Sequence, residues 1–181
     1  MNLEDINSKY QMNCMSRTDI NEHLPTLKRY AEKVDHITEF GTCTGQSTSA
    51  LLAGNPKKFI TYDIYERHNP TLLLSLAKAA GIDFSFVAGD TREVTIEPTD
   101  LLFIDSAHNF ADLQKELKLH GDKVSKYLIF HDTVTYGTHD EIGGDGPGLL
   151  PAIEEFLRDN PQWSILEDFA NNNGLRVLTK A

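Results

Sequence analysis

The chain has 181 residues, 40% of them hydrophobic and 24% charged, which suits one α/β domain with its own core. Its formal net charge is −10 and its lysines at 57, 58, 115, 118, 123 and 126 are scattered among acids; nucleic acid and anionic membranes, which both need clustered Lys and Arg, are therefore not its expected partners. A polar N-terminus without a signal-peptide core, no apolar run of membrane-spanning length, and two cysteines (Cys14 and Cys43) without paired spacing read as a reduced, cytoplasmic protein.

Residues 1–35 read as a helical extension that is a candidate to complete a substrate pocket or a homo-oligomer contact. Within it, TDINEHLPTLKRYAEKV (18–34) has the pattern of one or two helices, and Pro25 suits a first turn, where its missing N–H costs nothing. From residue 36 onward, short apolar runs alternate with helical patterns. HITEF (36–40), KFITYDI (58–64), DFSFVAG (83–89), DLLFID (100–105) and KYLIFHD (126–132) predict buried strands, and residues 47–52, 71–80, 110–120 and 149–158 predict helices. Such alternation builds βαβ units, hence an α/β fold with a mostly parallel sheet and helices on both faces. The tail breaks the pattern. WSILEDF and LRVLTK flank ANNNG with no helix between them, which predicts an antiparallel hairpin closed by Asn-Gly chemistry. Residues 1–181 read as one domain, with GTHDEIGGDGPG (137–148) as a mobile, glycine-rich loop able to close over the strand ends.

Open parallel sheets bind ligands beyond the carboxyl ends of their strands, where EFGTCTGQS (39–47) leaves the first one. Gly41 permits a turn close to a ligand, and Gly45 opens a helix whose first N–H groups suit an anion. A dinucleotide would ask for G-x-G-x-x-G, but Cys43 and Gln46 stand where the second and third glycines belong. Acid-x-Gly-x-x-x-Gly instead matches a ligand with both an ammonium, for Glu39, and a carboxylate, for the helix start. That points to S-adenosylmethionine rather than NAD. Asp63, ending the second strand, is placed to accept from ribose hydroxyls, and Asp90 or Thr91, after the third, to meet the adenine edge.

These motifs, with GDT (89–91), FID (103–105) and the terminal hairpin, resemble class I S-adenosylmethionine-dependent methyltransferases over roughly residues 18–181. Within that class the pattern is most similar to the metal-dependent O-methyltransferases of the catechol, macrolide-sugar and cephalosporin-hydroxylase-like types. The resemblance implies a Rossmann-like, seven-stranded sheet with its last strand antiparallel. It also implies cofactor contacts from Glu39, Gly41, Thr42, Gly45, Ser47, Asp63, Asp90, Thr91 and Asp105.

FIDSAH and FHD end the fourth and fifth strands, so Asp105, His108, His131 and Asp132 should converge on one rim. Two carboxylates make a hard oxygen site suited to Mg²⁺, which can bind vicinal oxygens of a substrate and ease loss of a proton. His108, three residues after Asp105, is placed to take that proton. Catechol-type enzymes carry Asp-x-x-Lys here, macrolide-sugar enzymes Asp-x-x-His. Asp132 matches a family metal ligand. The third ligand has two candidates: His131, where the cephalosporin-hydroxylase-like group has an acid, and Thr133, where catechol-type enzymes have Asn. The expected activity is O-methylation of a small hydroxylated molecule or sugar. A module that binds S-adenosylmethionine without methyl transfer, and an NAD-dependent oxidoreductase, are the rival readings. His23, His36, His68, His120 and His139 are expected on the surface, the LQKELK run (113–118) on a solvated helix face, and Trp163 and the tyrosines in packing.

Overall fold

The computed structural model describes residues 3–65, 71–141 and 146–181. Its centre is a seven-stranded sheet in the order β3-β2-β1-β4-β5-β7-β6, formed by β1 (His36–Phe40), β2 (Lys58–Asp63), β3 (Asp83–Ala88), β4 (Thr99–Ile104), β5 (Val124–His131), β6 (Trp163–Phe169) and β7 (Leu175–Lys180). The first five strands are parallel, while β7 runs antiparallel to both β5 and β6. The strand order reverses between β1 and β4, so their carboxyl ends diverge into a crevice.

Alternation along each strand divides the core in two. In β4, Leu101 and Phe103 face a cluster with α1 (Leu3–Met15), α2 (Leu24–Ala31), α3 (Gln46–Ala53) and α4 (Thr71–Ala79). Leu102 and Ile104 face the other cluster, with α5 (Phe110–His120) and α6 (Leu149–Asp159). In α6, Leu149, Ala152, Ile153 and Phe156 are buried at helical spacing. Each large side chain in such a stripe stabilises the fold by roughly 1.5–3 kcal/mol. Trp163 packs against Phe156, with ring centroids 6.0 Å apart.

Three expectations are corrected. His23 and His120 are buried rather than on the surface, and His36 is half-buried; His139 is exposed, and His68 lies outside the described residues. Glu116, in the run expected to be solvated, is 1% exposed. The physical reason lies in α5, where Leu113, Glu116, Leu117 and His120 share one helical stripe at i, i+3, i+4 and i+7, and that stripe faces the sheet. Nor are all tyrosines in packing, since Tyr65 is exposed.

The N-terminal extension is integral to the fold. Ile6 and Tyr10 enter the core, and Asn13 Nδ2 donates to Ser49 Oγ at 2.8 Å. The ANNNG turn also does more than close a hairpin. Asn172 and Asn173 take left-handed backbone, which Asn tolerates. Their side chains and carbonyls bind two segments that are distant in sequence. Asn172 Oδ1 accepts from Glu22 N at 2.9 Å, its Nδ2 donates to Thr18 O at 2.9 Å, and Asn173 O accepts from Val134 N at 2.8 Å.

Candidate functional site

A cavity of about 420 Å³ lies over the carboxyl ends of β1, β2 and β4. Among the residues expected to bind cofactor or metal, Gly41, Thr42, Ser47, Asp63, Asp90, Thr91, Asp105 and Asp132 line it, as does His108, the expected base. Glu39, Gly45 and His131 are not among its lining residues. Asp19 and Ile20 of the N-terminal extension also form part of the wall.

The β1–α3 turn depends on absent side chains. Gly41 has φ +88°, and a Cβ there would stand 1.9 Å from the Asp105 carbonyl oxygen. Gly45 (φ +69°) caps α3 without a side-chain hydrogen bond, and Gln46 and Ser47 of the helix's first turn line the cavity. Beneath the turn, Glu39 is fully buried, its Oε2 accepting from Thr48 and Thr61 hydroxyls at 2.7 Å each. Burial outweighs those hydroxyls and pushes its carboxyl up to about 7. Asp63 braces the turn from β2. Its Oδ2 accepts from Cys43 N at 2.9 Å, and its Oδ1 from Tyr65 N at 3.1 Å.

The loop after β3 is tied to α5. Arg92 binds Asp90 through Nε (2.8 Å) and a terminal nitrogen (2.7 Å), and reaches Asp112 at 2.8 Å. The Arg92 guanidinium holds Asp90 down to about 2, so this carboxylate is engaged before any ligand arrives. The Thr91 hydroxyl donates to Glu116, and His120 Nε2 donates to Thr91 O at 2.7 Å. Sequence reasoning placed neither Glu116 nor His120 here; two polar residues on an otherwise apolar helical stripe were the available signal.

At the ends of β4 and β5, Asp105, His131 and Asp132 offer ligand atoms that all lie within 4.8 Å of one another. His131 Nε2 donates to the Asn172 carbonyl at 3.2 Å. Its Nδ1 then faces Asp105 Oδ1 at 3.2 Å and Asp132 Oδ2 at 3.5 Å. Asp132 is held in left-handed backbone (φ +58°), a costly conformation for a non-glycine residue, and its Oδ1 is buried without a partner among the described residues. His108 Nε2 lies 3.0 Å from Asp132 Oδ2 and 3.4 Å from Asp105 Oδ1. Burial lowers both imidazoles, but the two carboxylates outweigh it and raise each to about 10. The same contacts hold Asp105 and Asp132 below the usual carboxylate range.

Two residues not foreseen at this site hold His108. Tyr136 stacks on its ring at 4.9 Å and 10° between planes, and Glu141 Oε2 lies 3.0 Å from Nδ1. Glu141 belongs to the loop expected at 137–148, and its N–H donates to His108 O at 3.1 Å. Residues 142–145 of that loop lie outside the described residues. On either side of them, His139 pairs with Pro147, and Leu149 N donates to Tyr136 O at 2.9 Å.

No protein-family model matches the chain, and no curated protein sequence is detectably similar to it. Solved structures are similar. The N-methyltransferase NodS from Bradyrhizobium japonicum, in complex with S-adenosyl-L-homocysteine, aligns at a TM-score of 0.66 and 14% identity, over 97% of this chain and 98% of that one. An O-methyltransferase from Bacillus cereus, also with S-adenosyl-L-homocysteine, aligns at 0.61 and 19% identity, over 99% and 90%. The Podospora anserina methyltransferase PaMTH1, in its S-adenosyl-L-homocysteine-bound form, aligns at 0.60 and 17% identity, over 97% and 87%. At such identities the likeness is one of architecture: the chain has the seven-stranded, Rossmann-like fold that these methyltransferases share.

Proposed function

We propose that the chain is an S-adenosylmethionine-dependent methyltransferase acting on a hydroxyl oxygen of a small molecule or sugar. One observation carries this reading: a single cavity joins the glycine turn of β1 to the carboxylate–imidazole cluster of β4 and β5, in a fold shared with methyltransferases solved with S-adenosyl-L-homocysteine.

The roles follow from placement. The start of α3, with Ser47, receives the cofactor's carboxylate, while the Thr42 hydroxyl spends its proton on Thr61 Oγ1 at 2.6 Å. Asp63 accepts from its ribose hydroxyls, and Thr91 lies against its base. Glu39 does not line the cavity, so its part is to fix Thr48 and Thr61 under the turn. S-adenosylmethionine supplies an activated methyl group on sulfur. The acceptor oxygen forms the new C–O bond as the methyl leaves sulfur, which keeps the bonding pair and becomes a thioether. In its neutral form His108 takes the hydroxyl proton at Nε2, the ring being oriented by Tyr136 and Glu141. Held at near-attack distance, the pair gains most of its rate from positioning.

The cluster fits a divalent cation. With the Nε2 proton of His131 on Asn172 O, a cation that displaced the Nδ1 proton would find a ring lone pair beside two carboxylates, and Asp132 has a buried oxygen to spare. A cation held by Asp105, His131 and Asp132 would offset the carboxylate charge on His108 and lower the pKa of an acceptor hydroxyl. Two carboxylates suit Mg²⁺, and the imidazole extends the choice to a first-row ion such as Mn²⁺. A cytoplasmic setting and a small-molecule acceptor belong to the same proposal.

The test is calorimetric titration of metal-free protein with S-adenosylmethionine and with NAD, each with and without Mg²⁺. Micromolar binding of S-adenosylmethionine, followed by methyl transfer to vicinal-diol acceptors that Asp132→Ala abolishes, is the expected result. Binding of NAD alone, or of neither, overturns the reading. Binding of S-adenosylmethionine with no transfer to any hydroxylated acceptor would leave a binding module.

A further inference from the structure

Where Thr91 and Ser106 meet Glu116 of α5, hydrogen-bond polarity runs one way. Glu116 Oε1 accepts from the Thr91 hydroxyl and, at 2.7 Å, from the Ser106 hydroxyl. Each hydroxyl has a single proton, and both protons are spent on this one buried oxygen. Thr91 and Ser106 both line the cavity, and what their oxygens have left to offer it is lone pairs. An ionised Glu116, or one protonated at its unpartnered Oε2, leaves Oε1 an acceptor for both hydroxyls. Nor is the wall free to reverse its polarity by swinging away. His120 holds the Thr91 carbonyl at 2.7 Å, and Arg92 spans Asp90 and Asp112.

Such a wall welcomes a group that donates and repels one that presents lone pairs, since a buried acceptor facing another acceptor loses its solvation without compensation. The exocyclic amine of adenine donates; the carbonyl that replaces it in hypoxanthine does not. We propose that Glu116 is a positioning residue which, by holding the Thr91 and Ser106 hydroxyls as acceptors, makes this end of the cavity select a 6-amino over a 6-oxo purine. The inference rests on the S-adenosyl reading of the cavity.

Titration with S-adenosyl-L-homocysteine and S-inosyl-L-homocysteine separates the two claims. The parent protein is expected to bind the adenosyl ligand about ten-fold tighter or more. Glu116→Gln, which keeps a carbonyl oxygen for both hydroxyls, retains that preference. Glu116→Leu frees the hydroxyls to rotate and brings the two ligands to within about three-fold. Loss of packing alone would weaken both ligands equally and leave the ratio intact. If the leucine variant does not fold, Ser106→Ala, at a half-buried position, is expected to lower the ratio by itself. Equal binding of both ligands by the parent, or an undiminished preference in Glu116→Leu or Ser106→Ala, overturns the proposal and leaves the cofactor reading standing. Binding of neither ligand by the folded parent overturns both.

Discussion

The cavity's two halves are built by opposite means. Over β1, β2 and β3 the wall is backbone: a glycine turn, the start of α3, and a loop clamped onto α5. Over β4 and β5 it is charge, with two carboxylates and the His108 imidazole in contact with one another and the carboxylates also in contact with the buried His131. The first half depends on close approach and the second on electrostatic balance, so the two should fail differently.

The largest effect is expected in the backbone half. Gly41→Ala puts a Cβ 1.9 Å from Asp105 O at φ +88°, which should cost about 3–5 kcal/mol by chemical denaturation. If stability is unchanged, the turn is not held as described.

Next comes Glu39, beneath that turn. Its carboxyl is raised from an ordinary 4.5 to about 7 in the folded chain, so the folded state binds more protons than the unfolded one across that window. Its contribution is full below pH 4.5 and is lost as pH rises through 7. Glu39→Gln cannot titrate. The variant should therefore gain on the parent by about 3 kcal/mol between pH 4.5 and 8. Measuring both proteins cancels the titrations of the charge cluster, and parallel pH profiles would refute the prediction.

Asp63→Ala removes acceptors for Cys43 N and Tyr65 N together with the proposed ribose contact. Affinity for S-adenosyl-L-homocysteine should fall about 10- to 100-fold, with little change in divalent-cation affinity at the other half. A matching loss of cation binding would show that the halves are coupled.

The smallest effect belongs to the charge half. Tyr136→Leu deletes the ring stacked on His108 and should slow methyl transfer by about three- to ten-fold, while Tyr136→Phe keeps the stack and the rate. Equal losses in both variants would locate the role in the hydroxyl instead.

The β-strands and the five helices from α2 onward were readable because their signals are local, in period-two and period-3.6 apolar patterns and in the Asn-Gly turn. The rim residues were readable for a related reason: the parallel strands of one sheet all deliver their C-terminal residues to the same edge. Asp63, Asp105 and Asp132 needed nothing more than that. Glu116, His120 and His23 were misplaced because composition cannot tell a polar residue on a buried stripe from one on a solvated face. Their satisfaction comes from partners far along the chain, such as Thr91 O for His120 and Asn171 O for His23.

The sequence by itself therefore determined the architecture, the turn at Gly41 and the set of acids and histidines at the strand ends, since each follows from steric and periodic rules acting over a few residues. Tertiary structure alone decided which of those groups are free. It engaged Asp90 with Arg92, sank Glu39 beneath the turn, and committed the Nε2 proton of His131 to the Asn172 carbonyl. Hydrogen-bond protons and buried charges are shared among neighbours in space, and those neighbours exist only once the chain has folded.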